Sequence, residues 1–202
     1  MKRIALLGLL GLLPFTSFAA DKDGSFAPKG AGMLSCEAFV KIAESKGPDA
    51  ARLIGWIEGY ITAVNQTATD TYDIAPWQPP ELLGELILNH CRKNPKDSVF
   101  AVNRALISSM AKERLTAKSE IVEIKEGDKK GAMYAETLKR AQQSLKDKGV
   151  FSGTADGKWG GKTRDALKAF QKKEGLQETG LPDPITLARL FQPSNGGQSA
   201  PK

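Results

Sequence analysis

The sequence has little material for a metal or nucleophile site. Its 202 residues include one histidine, His90, and two cysteines, Cys36 and Cys91. A zinc peptidase needs several His, Asp or Glu ligands, and a Cys–His transpeptidase needs a free thiolate. A lone histidine beside a cysteine expected to be paired supplies neither. We therefore expect no metal, no cofactor and no enzymatic activity.

Long apolar runs are also missing after the first residues. Lys2 and Arg3 precede an apolar run over residues 4–15, and Ser17-Phe18-Ala19 places small residues at the first and third positions of a cleavage site. This pattern predicts a secretory signal peptide over residues 1–19. A membrane anchor would need roughly 20 uninterrupted apolar residues. We expect an exported, periplasmic protein with no stable membrane insertion after cleavage.

The two cysteines fit this location. An even pair in an exported chain predicts one disulfide between Cys36 and Cys91. A metal pair or a reactive thiol remains as the alternative.

Residues 33–115 predict a four-helix domain that the disulfide ties together. The first helix begins after Ser35 and has apolar residues at the spacing of one helix face. The second starts at Asp49 and carries Gly55 and Gly59, which we expect to permit a close helix–helix approach. The third begins at Pro80. The fourth is expected to be capped by Asp97 or Ser98.

The segments around this domain have little apolar content. Residues 116–132 are charged and nearly balanced, so they are interpreted as a solvated linker, although part of them alternates briefly like a strand. The tail 193–202 is expected to be disordered. The expected fold class is all-α.

Residues 133–192 predict a compact unit of three helices. The first helix stops at Gly149 and the second at Gly175, both in the position of a left-handed cap. The third opens with Asp183-Pro184, an N-cap followed by proline. Every local signal in this segment agrees, which is typical of a real fold.

The order of residues in this unit resembles the peptidoglycan-binding-like domain found beside many cell-wall hydrolases. The resemblance rests on the spacing of Gln142, Leu145, Gly149, Asp156-Gly157, Trp159-Gly160, Thr163, Phe170-Gln171, Gly175-Leu176, Thr179-Gly180, Asp183, Thr186 and Leu190. It implies a non-catalytic module that binds peptidoglycan in a shallow groove near the Asp-Gly loop and the start of the second helix.

The residues of that loop allow a ligand role and a purely structural one. A helix N-terminus offers free N–H groups to a carboxylate, Lys158 and Lys162 add attraction, and Trp159 can stack on sugar or peptide. Asp156-Gly157 can instead form only the turn, and Gly160 only a cap. The candidate peptidoglycan-binding residues are Asp156, Gly157, Trp159, Gly160, Lys162, Thr163 and Gln171.

The N-terminal residues resemble, more loosely, small disulfide-tied helical periplasmic proteins of the HdeA-like acid-chaperone and Rap/Tai immunity types. The shared features are the helix-one cysteine, the Trp56-x-x-Gly59-Tyr60 helix, and Cys91 followed by Asn94-Pro95. This resemblance implies that the domain binds a protein rather than catalyses.

Three functions are compatible with the sequence. The first is an exported wall-binding adaptor with a protein partner and no nucleic-acid partner. The second is an immunity or chaperone-like protein that its wall module localises. The third is a wall hydrolase with an unrecognised helical catalytic domain. A glycosidase needs two carboxylates in a cleft, and Glu58 is the most distinctive of the available acids.

Overall fold

The computed structural model describes residues 21–45 and 47–192. The expected signal peptide and the expected disordered tail lie outside these residues. Within them the chain is mostly helical, with seven α-helices and one two-stranded sheet. None of the helices in this described part has the length and apolar character that crossing a bilayer requires.

The N-terminal part contains the four expected helices. They are α1 (Cys36–Glu44), α2 (Pro48–Thr67), α3 (Pro80–Lys93) and α4 (Val99–Ser109). The Ser35 hydroxyl accepts a hydrogen bond from the Ala38 N–H at 3.3 Å and caps α1. Helices α2 and α3 begin on prolines, whose fixed φ suits the first helical turn. Ser98 precedes α4, but its side chain makes no cap hydrogen bond.

The Cys36–Cys91 disulfide is confirmed, and it joins the first residue of α1 to the last turn of α3. Both cysteines are fully buried. They belong to a core that all four helices share, whose buried side chains include Phe39, Ile57, Leu83, Ile87 and Val99. The disulfide therefore lies inside the packed interior rather than at its edge.

The two glycines of α2 do not mediate helix packing. A Cβ atom added at Gly55 or Gly59 would meet nothing within 4 Å, so the expected close helix–helix approach at these positions is wrong within this chain. The close approach occurs at Gly84 of α3 instead. A Cβ there would lie 2.8 Å from the Ile54 side chain of α2.

The expectation of an all-α chain is wrong at one place, the supposed linker 116–132. Strands β1 (Ile121–Glu126) and β2 (Lys129–Tyr134) pair antiparallel across it, with Val122 opposite Met133. Gly127, at φ +57°, takes the first position of the two-residue connection, where hairpin turns favour glycine.

The hairpin is part of the second core. Ile124 is 3% exposed and Met133 is 9% exposed, and both pack with the C-terminal helices. The hairpin also returns the chain to the start of the next helix. There the Glu120 carbonyl accepts the Ala135 N–H at 2.8 Å, and the Ser119 hydroxyl accepts the Glu136 N–H at 3.0 Å.

The C-terminal part contains the three expected helices, α5 (Ala135–Asp147), α6 (Gly161–Lys173) and α7 (Pro184–Leu190). Gly149 (φ +76°) and Gly175 (φ +67°) end α5 and α6 in the left-handed conformation. The Asp183 carboxylate caps α7 through the Thr186 N–H at 2.8 Å. The core of this part is built on Leu138, Leu145, Leu167, Phe170 and Leu190.

The two parts of the chain contact each other directly. Arg140 of α5 donates to the Glu113 carbonyl at 2.6 Å, and the Tyr72 and Tyr134 rings meet edge to face at 6.0 Å. Burial, reinforced by the Asp73 carboxylate, raises the pKa of Tyr134 to about 12. Tyr72 lies before α3 and Glu113 lies after α4. The C-terminal part therefore packs against the segment that precedes α3 and the segment that follows α4.

Candidate functional site

A groove of about 320 Å³ opens where the loop after α5 meets the start of α6. Among the candidate residues, those that line it are Asp156, Trp159, Gly160, Lys162 and Thr163. Gly157 and Gln171 do not line it. The groove also includes Phe151, whose ring lies where a side chain on Gly153 would stand.

The Asp156-Gly157 turn lies beside the groove, and Asp156 lines it. The Asp156 carboxylate accepts the Lys158 N–H at 2.9 Å, which closes a tight turn. Gly157 has φ +73°, and a Cβ there would lie 2.5 Å from the Ala135 carbonyl oxygen. Only glycine fits, because both the backbone conformation and the space exclude a side chain.

The turn also sets the charge state of Asp156. The Lys158 N–H is the main cause that lowers the pKa of the exposed Asp156 carboxyl below the usual aspartate value; desolvation opposes it, and the Gln142 amide adds a smaller lowering. The groove therefore keeps one carboxylate, on its α5 side, ionised at neutral pH.

A buried glutamine holds this loop to the helices. Gln142 of α5 is 1% exposed, and its Oε1 accepts the Gly157 N–H at 2.8 Å. Its Nε2 faces the Lys158 carbonyl at 2.9 Å and the Thr163 hydroxyl at 3.0 Å. One side chain thus connects α5, the loop and the first turn of α6.

The same arrangement of hydrogen bonds around a buried glutamine recurs in the next helix. Gln171 of α6 is fully buried, and its Oε1 accepts the Gly180 N–H at 2.7 Å. Its Nε2 faces the Leu181 carbonyl at 3.0 Å and the Thr186 hydroxyl at 2.9 Å. Gln171 therefore joins α6, the following loop and α7 as Gln142 joins the preceding set.

These contacts revise two of the expected ligand contacts. Gln171 is 0% exposed and Thr163 is 3% exposed, and the polar atoms of both side chains already bond within the protein. Their role in the structure is to hold the loops. Gln142 is a further functional residue of this loop, and the sequence contains one signal for it: a threonine stands six residues after both Gly157 and Gly180.

Trp159 forms one wall of the groove, and the hairpin fixes it. The indole Nε1 donates to the Lys125 carbonyl of β1 at 3.1 Å, and the half-buried ring packs against the C-terminal core. Its N–H is therefore already used, so a ligand can meet only the exposed part of the ring.

The hairpin is also held to α6 by charge. The Glu126 carboxylate, 25% exposed, lies 3.1 Å from the Lys168 Nζ and 3.6 Å from an Arg164 guanidinium nitrogen. The Arg164 guanidinium is therefore paired with the carboxylates of Glu126 and, at 2.9 Å, of Asp165.

The start of α6 is the electropositive end of the groove. Gly160 is its N-cap residue and provides no side-chain cap, so the first N–H groups of the helix point out of it without an intrahelical partner. Lys158 and Lys162 are exposed beside it, and neither forms an ion pair among the described residues. This arrangement favours a carboxylate or another anion.

The other residues considered for chemistry lie apart from the groove. Glu58 is exposed on α2, and His90 is an exposed side chain 2.8 Å from the Asp97 carboxylate. Within residues 21–45 and 47–192, no three His, Cys, Asp or Glu side chains come together as a potential metal site.

Comparison with known protein families identifies the C-terminal part. Residues 135–190 match the family described as "Putative peptidoglycan binding domain", which confirms the resemblance noted from the sequence. The match covers α5, α6, α7 and the groove. It does not extend to residues 33–115, so the resemblance of that part to HdeA-like or Rap/Tai proteins has no support from it.

Among curated proteins, the chain is similar to the N-acetylmuramoyl-L-alanine amidase CwlM of Mycobacterium tuberculosis. The two are 34% identical over 59 residues, which is 29% of this chain and 14% of the relative. The chain therefore spans only a small part of that relative's length. No solved structure matches the chain significantly.

Proposed function

We propose that the protein is exported to the periplasm and binds peptidoglycan through the groove beside Trp159, without catalysing a reaction. In this proposal, residues 33–115 bind a protein partner, so that the chain connects that partner to the cell wall. The observation that carries the proposal is the uncapped start of α6, which opens into the groove of a domain that matches a peptidoglycan-binding family.

The groove has the chemistry that a wall fragment needs. Stem peptides of peptidoglycan carry carboxylates, and the free N–H groups of α6 with Lys158 and Lys162 attract them. The exposed part of Trp159 provides an apolar surface in the same groove. Of the seven candidate residues, the proposal assigns direct contact to Trp159, Gly160, Lys162 and Asp156, and a supporting role to Gly157, Thr163 and Gln171.

Binding of the full mature chain to purified sacculi tests the groove. Replacing Lys158 and Lys162 together with alanine should weaken binding about tenfold, because each removes an exposed charge contact of up to ~1 kcal/mol. The matched control replaces Lys172 and Lys173, two exposed lysines at the other end of α6. Equal binding by the two double variants would contradict the proposal.

The protein partner is sought by capture from periplasmic extract with the full chain. A partner whose capture survives the Lys158 and Lys162 replacements, but is lost when residues of 33–115 are altered, supports the adaptor function. Identification of that partner as a wall-degrading toxin would select the alternative of an immunity protein localised by its wall module.

The amidase relative gives a reason to keep hydrolysis as a second candidate. Hydrolysis would lower the turbidity of a purified wall suspension and release soluble fragments. If the wild-type protein lowers the turbidity, the Glu58→Gln variant shows whether the Glu58 carboxylate is required for this. A suspension whose turbidity stays constant with the wild-type protein supports the non-catalytic proposal.

A further inference from the structure

The hairpin leaves the edge of β2 open. Its two-residue connection makes Glu126 and Lys129 a hydrogen-bonded pair, and the bonding alternates along the ladder from that pair. The backbone N–H and C=O groups of Lys130 and Ala132 therefore point away from β1. Both residues are exposed, and no hydrogen bond from elsewhere in the described chain reaches these groups. Strand β2 thus offers unpaired backbone groups to another strand.

The opposite edge of the hairpin, on β1, is already covered. By the same alternation the carbonyl of Lys125 points outward, and it accepts the Trp159 indole N–H at 3.1 Å. The Lys125 ammonium also pairs with the Glu123 carboxylate at 2.8 Å. Within the described residues, the edge of β2 has neither kind of contact, so it is the edge that can accept a strand.

A first apolar pocket lies beside this edge, at the position of Gly131. Its volume is about 170 Å³, and its lining includes Leu181 and the buried side chains of Ile124 and Met133. Gly131 stands opposite Ile124 in the ladder, so both belong to the face that packs on the core. A Cβ atom on Gly131 would meet nothing within 4 Å. The missing side chain therefore leaves room for one from outside.

A second pocket follows at Lys129, two residues along the same strand. Its volume is about 580 Å³, and its lining includes Leu176, Leu181 and Ile185. Ile185 is a large apolar side chain that is 65% exposed. Side chains on one face of a strand are two residues apart. The two pockets therefore have the spacing of alternate side chains in one extended segment.

The charge of the edge indicates which segment fits. Lys129 and Lys130 are adjacent and exposed, and neither is paired with a carboxylate in the part of the chain that the structure describes. Opposite charges on facing strands attract, and like charges repel. A second copy of β2 on this edge would bring four lysines into one short ladder. The edge therefore favours a different strand that carries acidic side chains.

We propose that the edge of β2 binds an extended segment of a protein partner, in which aliphatic and acidic residues alternate, as a third strand. In antiparallel addition, the acidic residues lie opposite Lys130 and Ala132 and exchange backbone hydrogen bonds with them. The aliphatic residues lie opposite Gly131 and Lys129 and fill the two pockets. Backbone bonds give such a complex its affinity, and alternate side chains give it specificity. This surface is separate from the groove and from residues 33–115.

Titration of the full chain with the blocked peptide Glu-Val-Glu-Val-Glu tests the proposal. Backbone amide signals are followed by two-dimensional NMR, and those of Gly161 and Lys162 report on the groove. The amides of Lys130 and Ala132 are expected to shift saturably, whereas the groove amides stay in place. The matched peptide Lys-Val-Lys-Val-Lys should bind at least about fivefold more weakly, because it places lysine opposite Lys130.

N-methylated peptides test whether backbone hydrogen bonds carry the binding. A methyl group on the nitrogen of the central glutamate removes an N–H that points at β2, so affinity should fall at least about tenfold. A methyl group on a valine nitrogen points away from β2 and should change the affinity less than about twofold. Equal binding by the two methylated peptides would contradict strand addition.

Two valine substitutions test the first pocket. Gly131→Val fills it and should weaken binding of the acidic peptide about tenfold. The hairpin should stay folded, because Gly131 does not have a positive φ and valine suits a strand. Ala132→Val is the matched control, since it adds the same side chain on the other face. Thermal unfolding checks both folds, and equal peptide affinity in the two variants would refute the role of the pocket.

The remaining outcomes each overturn the proposal in a different way. Equal affinity for the acidic and the lysine peptide would remove the acidic partner. Shifts at Gly161 and Lys162 alone would place the peptide carboxylates in the groove. Shifts of the β2 amides that follow protein concentration without any peptide would assign the edge to a second copy. No shift with either peptide would show that the edge accepts no strand of this kind.

Discussion

Gln142 and Gln171 occupy equivalent places in consecutive helices of the C-terminal part. The Oε1 of each accepts the N–H of a glycine with positive φ. The Nε2 of each faces the carbonyl of the residue that follows this glycine, and also a buried threonine hydroxyl. Each glutamine therefore holds the loop that follows its own helix to the start of the next helix. The groove beside Trp159 depends on the first of them.

Gln142→Leu should destabilise the protein by about 2 kcal/mol, because it leaves the buried Gly157 N–H without a partner. Urea unfolding followed by tryptophan fluorescence measures the change. The control is Gln143→Leu at the neighbouring exposed position, where the lost bond to Asp147 is on the surface. A Gln142 variant as stable as this control would show that the clamp contributes nothing.

Gly157→Ala should cost more than about 1 kcal/mol, since alanine is strained at positive φ and its Cβ would collide with the Ala135 carbonyl. Gly160→Ala is the matched control. Gly160 has extended backbone and open space around its Cα, so its replacement should change the free energy of unfolding little. Thermal unfolding of both variants measures the difference in their midpoints. Equal midpoints would refute the steric argument.

Lowering the pH should weaken the Asp156 turn. The pKa of Asp156 is lowered in the folded protein, mainly by the Lys158 N–H, so its contribution is complete above the usual aspartate pKa and is lost as the pH falls through the folded value. Titration of the carboxyl carbon by NMR should give a midpoint below that of an unstructured aspartate. Asp156→Asn should remove this part of the pH dependence, and an unshifted midpoint would contradict it.

Replacing both Cys36 and Cys91 with alanine should destabilise residues 33–115 by about 4 kcal/mol, because the disulfide restricts the conformational freedom of the unfolded chain. Calorimetry of the variant and of the reduced wild type measures the loss. The indole signal of Trp159 serves as the internal control, because its surroundings contain neither cysteine. Unchanged unfolding in both samples would refute a stabilising disulfide.

Trp159→Phe should loosen the hairpin, because it removes the bond to the Lys125 carbonyl, worth about 1 kcal/mol. Amide hydrogen exchange should become faster in β1 and β2 but not in α5. If the exchange rates of the strands stay the same, the indole does not hold the hairpin.

The helices were predictable because their signals are local. Helices begin or end through contacts within a few residues at Ser35, Gly149, Gly175 and Asp183-Pro184. These helix ends can therefore be predicted from the sequence alone. The disulfide was predictable for a different reason, which is that the chain offers no other cysteine as a partner.

The hairpin was missed because its stabilisation is not local. The segment alone has few apolar residues, and the surface that buries Ile124 and Met133 comes from helices much further along the chain. The charge on Glu126 indicated solvent, although Arg164 and Lys168 neutralise it. The glycines of α2 were misread for the same reason, since spacing on one helix does not show which helix packs against it.

The position of a groove was predictable from the sequence, whereas its use as a binding site stays a prediction. The Asp-Gly turn and the start of α6 form a groove where the sequence placed it. Burial separated the residues whose polar groups are exposed in the groove from Gln171, which lies outside it, and from Thr163, which lines it but whose hydroxyl bonds to Gln142. Thr163 and Gln171 look like surface polar residues in the sequence, and only the three-dimensional contacts show that their polar groups face inward.

The hairpin also sets where the part of the chain that matches the peptidoglycan-binding family can be excised for study. A fragment that starts at residue 135, the family boundary, would lack the carbonyl and hydroxyl of Glu120 and Ser119 at the start of α5. It would also lack the Lys125 carbonyl, which accepts the hydrogen bond of the Trp159 indole, and Ile124, which covers part of the core. A stable recombinant fragment therefore has to begin before Ser119, some way upstream of the boundary that the family match defines.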